Sequence, residues 1–86
     1  MTLKQYENLK IGEEVFFPFI WDHYPATVYV VRKGTVCRKQ NGKLWFKEYK
    51  YSGQNFGHSF RVCNKDESKE QEIVNQFNRA LDAEDL

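Results

Sequence analysis

Apolar positions recur at different spacings along the chain, and each spacing predicts a different element. Leu3, Tyr6 and Leu9 lie three residues apart and share one face of a short helix. Thr2 and Gln5 have the spacing of a capping box at its start, and Gly12 is placed to end it. The run Val15-Phe16-Phe17-Pro18-Phe19-Ile20-Trp21 is nearly unbroken, as in a buried strand. Pro18 has no N–H to give to a ladder, which puts the strand at a sheet edge or on a bulge. Residues 22–26 are expected as a loop. The β-branched and aromatic residues 27–31 predict a second strand, which Arg32-Lys33-Gly34 can bend into residues 35–40.

Asn41-Gly42 is the strongest local signal. Between two β-prone runs this pair predicts a two-residue type I′ hairpin, because both residues accept positive φ. The turn sets a register in which Gln40 faces Lys43, Lys39 faces Leu44, Arg38 faces Trp45, Cys37 faces Phe46 and Val36 faces Lys47. Side chains alternate between the two faces. Cys37, Leu44 and Phe46 fall on the face expected to be core. Arg38, Lys43, Trp45 and Lys47 fall on the other, which continues to Tyr49 and Tyr51. Val36 then sits on the wrong side, a fault that a bulge at Gly34-Thr35 would correct.

Residues 52–57 predict a loop and residues 58–63 a last short strand. Asn64 and Glu67 have capping-box spacing, and Ile73, Val74, Phe77, Ala80 and Leu81 form an apolar stripe at helical period. Asp66, Glu67, Glu70 and Glu72 lie toward the start of this helix, where its dipole favours acids. A short helix, four or five antiparallel strands and a long amphipathic helix make an α+β domain, most simply a small twisted barrel with one helix against it. The single domain 1–86 divides into a helix and entry turn (1–12), a barrel (13–63) and an acidic helix (64–86).

Composition sharpens this picture. Aromatic residues make up 16% of 86 residues, which suits a small interior filled by bulky rings. Cys37 and Cys63 are the only cysteines and have no metal-ligand spacing, so both are expected as reduced thiols in a cytoplasmic protein. Residues 1–10 contain no apolar segment of signal-peptide type, and no apolar run approaches the about 20 residues that span a bilayer. The net charge of +1 hides a strong segregation. Residues 23–63 hold eight Lys or Arg against Glu48 alone, whereas residues 64–86 hold three against seven acids. A basic middle suggests an anionic partner, unless the acidic tail packs on it and cancels it.

The entry Leu9-Lys10-Ile11-Gly12-Glu13-Glu14-Val15 resembles the L-x-x-G-[DE]-x-V opening of small SH3-like barrels of the KOW and Tudor type. Lys33-Gly34-Thr35-Val36 resembles their K-G-x-V strand start. Residues 60–67 are similar to the F-x-V-x-x-[KT]-x-E ending of short bacteriophage and mobile-element proteins, in which a helix follows the barrel. The resemblance covers residues 9–77 and implies a binding module rather than an enzyme. The complete KOW glycine pattern is not present, so the resemblance does not itself carry nucleic-acid binding.

Chemistry is sparse. Asp22, His23, Cys37, His58, Ser59 and Cys63 could meet only through the fold, and no spacing demands it. No phosphate-binding loop, dinucleotide fingerprint or zinc-ligand motif occurs, so neither catalysis nor a cofactor or metal is expected. The candidate site is instead the basic-aromatic face of Arg38, Lys43, Trp45, Lys47, Tyr49 and Tyr51. Such a face can stack bases and hold phosphates of a single strand. Two alternatives stand beside this one. The face can be a docking surface for a host protein, since Trp, Tyr and Arg also anchor protein interfaces. Or Arg38 over Trp45 is only a cross-strand cation–π pair.

Overall fold

A computed structural model describes residues 1–23, 26–49 and 57–84; for residues 21–23, 26 and 83–84 it describes the backbone alone. The order is α1 (Leu3–Asn8), β1 (Glu14–His23), β2 (Ala26–Gln40), β3 (Lys43–Phe46), β4 (His58–Ser59) and α2 (Glu67–Glu84), with 3-10 turns over Lys47–Tyr49 and Phe60–Val62. The strands form one antiparallel sheet in the order β1-β2-β3-β4, curled into a half-barrel. The class is α+β.

The hairpin turn forms as its residues dictate. Asn41 and Gly42 both have positive φ, at 53° and 75°. Gln40 pairs with Lys43, Lys39 with Leu44 and Arg38 with Trp45, and then the register shifts. Val36 pairs with Phe46, and Cys37 is the extra residue of a bulge. The bulge thus lies after Val36, not at Gly34-Thr35. It turns Val36 into the core in place of Cys37, which is only half-buried.

β2 is a single 15-residue strand that serves two partners, β1 along residues 26–35 and β3 beyond them. Its curl brings the Phe46 ring onto the backbone at Gly34, where an added Cβ would lie 2.6 Å from Phe46 Cγ. Only glycine permits that approach. The ladder to β1 also runs further than expected, through Asp22↔Thr27 and His23↔Ala26, leaving only residues 24–25 of the expected loop outside it. β1 is the edge strand, as Pro18 requires.

The concave face holds the core: Tyr6, Leu9, Val15, Phe17, Val36, Leu44, Phe46, Phe60 and Cys63. Phe17 and Phe46 stack at 4.3 Å, and Tyr6 stacks on Phe60 at 4.8 Å. Such ring pairs add about 0.5–1.5 kcal/mol each beyond their buried area. α1 closes one end of the curl. Its capping box between Thr2 and Gln5 is present, and Tyr6 and Leu9 are buried, but Leu3 is 56% exposed. Lys39, on the inner side of β2, donates to the carbonyls of Tyr6, Glu7 and Leu9 at 2.8–3.0 Å. A cation there satisfies the end of α1 and complements its dipole.

α2 covers the convex face of the sheet's first half. Val74 is fully buried, Ile73, Phe77 and Leu81 are half-buried, and Ala80 is exposed. Phe77 meets the Tyr29 ring at 5.1 Å, and Asn78 exchanges two hydrogen bonds with the Tyr29 backbone. Asp66, rather than Asn64, caps this helix, its Oδ1 accepting from Ser68 N at 2.9 Å. Asn64 instead pairs with Phe16 through both backbone bonds and donates from Nδ2 to Glu70 Oε2 at 2.8 Å. The expected strand over residues 58–63 is two residues long, because Ser59 accepts from Arg61 N and starts the 3-10 turn.

Candidate functional site

β2, β3 and the start of β4 together build the surface around Trp45. On the hairpin, alternation puts Leu44 and Phe46 in the core and turns Lys43 and Trp45 outward. Across the ladder the outward neighbours are Arg38 and Gln40 on β2 and Ser59 on β4. The Arg38 guanidinium lies 4.5 Å from the Trp45 ring and donates from Nε and Nη2 to Gln40 Oε1. Beyond β3, a Cβ on Gly57 would lie 2.7 Å from Trp45 Cζ2, so the indole rests against bare backbone. Trp45 is half-buried, whereas Arg38 and Lys43 are exposed. The result is a guanidinium over an indole ring with a lysine beside it.

The six expected site residues do not all share this surface. Arg38, Lys43 and Trp45 come together as the hairpin register implied. The strand ends at Phe46, and Lys47 stands exposed on the 3-10 turn that follows. That turn breaks the alternation and rotates Tyr49 to the concave side. There its ring meets Phe17 edge-on at 5.2 Å and Phe19 at 5.9 Å. Tyr49 is therefore a core ring, not part of a stacking face. Tyr51 lies outside the described residues.

Glu48 helps to fix the 3-10 turn. Its carboxylate accepts from Thr35 N at 2.6 Å, tying the turn to β2. Burial opposes ionisation of Glu48, but the Thr35 bonds outweigh it and hold the carboxyl below its ordinary range. No short pattern announced this acid as a backbone acceptor. Its position as the single acid of the basic middle was the only signal.

The basic middle is also less free than its composition suggested. Lys39 is occupied by α1, and Lys33 pairs with Glu14 at 3.5 Å. Arg32 lies 5.6 Å from the Phe19 ring. Arg38, Lys43 and Lys47 are the expected cations left on or beside the Trp45 surface. α2 packs on β2, where Phe77 and Asn78 hold Tyr29, and on β1, while β3 is not among its main contacts.

His58 and Cys63 are set in structural roles, and the side chains of Asp22 and His23 lie outside the described residues. His58 faces inward against Phe17 at 4.6 Å and Phe46 at 5.6 Å, and this desolvation depresses its pKa. Cys63 is buried, donates from Sγ to the Ser59 carbonyl, and has its pKa pushed up to about 12 by burial and then by nearby Glu70. A thiol so far from ionising is not a nucleophile at neutral pH. Among the described residues, no group of three or more His, Cys, Asp or Glu side chains is placed to hold a metal ion, and no helix is long and apolar enough to cross a membrane. No protein-family model, curated protein or solved structure matches the chain.

Proposed function

We propose that the chain is a non-enzymatic binding module, a half-barrel of SH3-like type, that binds single-stranded nucleic acid weakly and with little sequence preference. The observation that carries this reading is the Arg38 guanidinium over the half-buried Trp45 ring on the outward face, with exposed Lys43 beside it and the acidic helix packed on β1 and β2. Bases stack on guanidinium planes as they do on aromatic faces. Each stacked base contributes about 1–3 kcal/mol, whatever its identity. Arg38, Lys43 and Lys47 supply the phosphate contacts. Tyr49 is not available to the site, so among the described residues the platform accommodates one or two bases.

Fluorescence anisotropy of a labelled oligothymidylate, titrated with protein at several salt concentrations, tests this reading. Three neutralised phosphates give a slope of log K against log salt of about −2. Trp45→Ala weakens binding at every salt concentration, while Lys43→Ala makes the slope shallower. Absence of binding at about 100 μM protein in low salt refutes the nucleic-acid reading and leaves a host protein as the partner of this face.

A further inference from the structure

Gln40 follows Arg38 by two residues on β2 and so projects from the same side of the pleat. Its partner across the ladder is Lys43, as that of Arg38 is Trp45. The four side chains form one outward patch. Gln40 meets Arg38 through Oε1, which accepts from Nε at 3.2 Å and also from Nη2. Chemistry fixes the orientation of this amide: a guanidinium has donors only, so the carbonyl and not the NH2 must face it.

That contact occupies the side of the guanidinium formed by Nε and Nη2. The end formed by Nη1 and Nη2 remains, and among the described residues nothing accepts from Nη1. This end is a fork that matches two oxygens of a phosphate. The Gln40 NH2 and the exposed Lys43 ammonium beside it are donors as well. The residue type at 40 matters. A carboxylate there would accept the same bonds, but it would neutralise Arg38 and attract Lys43 opposite. A carboxamide orients the cation and leaves its charge intact. The single acid of residues 23–63, Glu48, is committed to the Thr35 N–H.

We propose that Gln40 is a positioning residue of a phosphate subsite, in which its carbonyl holds Arg38 over Trp45 with the guanidinium fork turned to a phosphodiester. The proposal rests on the single-stranded nucleic-acid reading above and names the group of that ligand which Arg38 takes. An arginine already held by Gln40 and the indole loses less side-chain freedom on binding than one that is not.

The test uses the full chain, labelled with nitrogen-15, and a labelled oligothymidylate. Before any ligand is added, the Arg38 Nε–H exchanges with water more slowly in wild type than in Gln40→Met, which has a similar length and no carbonyl. Gln40→Met weakens oligothymidylate binding at least about threefold at every salt concentration. The slope of log K against log salt stays the same, because no charge is lost. On top of Arg38→Ala the same substitution costs nothing further. Gln40→Glu keeps the slow Nε–H exchange but makes the slope shallower by about 0.7, one phosphate contact fewer. Equal Nε–H exchange or equal affinity in wild type and Gln40→Met, the same loss on top of Arg38→Ala, or an unchanged slope in Gln40→Glu each overturns the role of Gln40 and leaves the nucleic-acid reading in place. An oligothymidylate that does not bind wild type overturns both.

Discussion

Single residues carry functions here that their types alone do not suggest, and Glu70 is the clearest case. It lies in the acidic first half of α2, yet its side chain is fully buried, with 0% of its surface exposed. Oε2 accepts from Asn64, while Oε1 has no partner among the described residues. Burial raises its pKa above the ordinary 4.5, and the Asn64 bond only partly offsets this. A carboxyl bound more tightly to its proton when folded contributes stability that is fully present below pH 4.5. That contribution is lost as pH rises through the raised folded value. His58 has the opposite sign: held neutral by burial, it contributes above pH 6.5 and loses that contribution on acidification. Comparing wild type with Glu70→Gln cancels the histidine. The variant's stability relative to wild type should rise from about pH 4 to about pH 8 in urea unfolding. Parallel pH profiles for the two proteins would show that Glu70 ionises in the fold as freely as it does unfolded.

At the scale of elements, local signals were legible and long-range ones were not. Asn41-Gly42 fixed the turn and the first three pairs of the hairpin, because two residues with positive φ leave one short-loop geometry. The bulge at Cys37 was misplaced, since it answers to Phe46 packing on Gly34, a contact between distant residues. Tyr49 was misassigned for a related reason. The 3-10 turn that rotates it is held by Glu48 reaching Thr35, which no periodicity encodes. The apolar stripe of α2 was readable, but its cap was not, because Asn64 is taken by Phe16 and Glu70. The docking of α2 should depend as much on Asn78 as on the stripe. Asn78→Ala removes both bonds to Tyr29 and leaves a strand edge bare, at a cost of about 1–3 kcal/mol. The Tyr29 amide should lose its exchange protection in the same variant. Asn75→Ala, on the exposed side of the helix, should stay within about 0.5 kcal/mol of wild type. Equal effects from the two substitutions would mean that Asn78 does not hold the helix to the sheet.

For the whole molecule, the question raised by the sequence was whether the acidic tail cancels the basic middle. The fold separates the two without parting them. α2 sits on the convex face of β1 and the first half of β2, and the Arg38–Trp45 stack lies on the convex face further round the curl. Screening decides what the helix acids do to that surface. At physiological ionic strength the Debye length is about 8 Å, so exposed charges beyond the immediate neighbourhood act weakly. An exposed helix acid such as Glu72 should therefore matter little to oligonucleotide affinity at that salt. Glu72→Gln is expected to raise the affinity less than about twofold, and that gain should grow as salt is lowered and the field reaches further. Lys43→Ala should weaken binding several-fold under the same conditions, because it removes a contact rather than a distant field. The paired measurement separates two designs of the same net charge. If Glu72→Gln strengthens binding as much as Lys43→Ala weakens it, the helix acids compete directly for the cations of the site. α2 would then act as an autoinhibitory cover, in place of the structural brace that its packing on Tyr29 and on β1 and β2 implies.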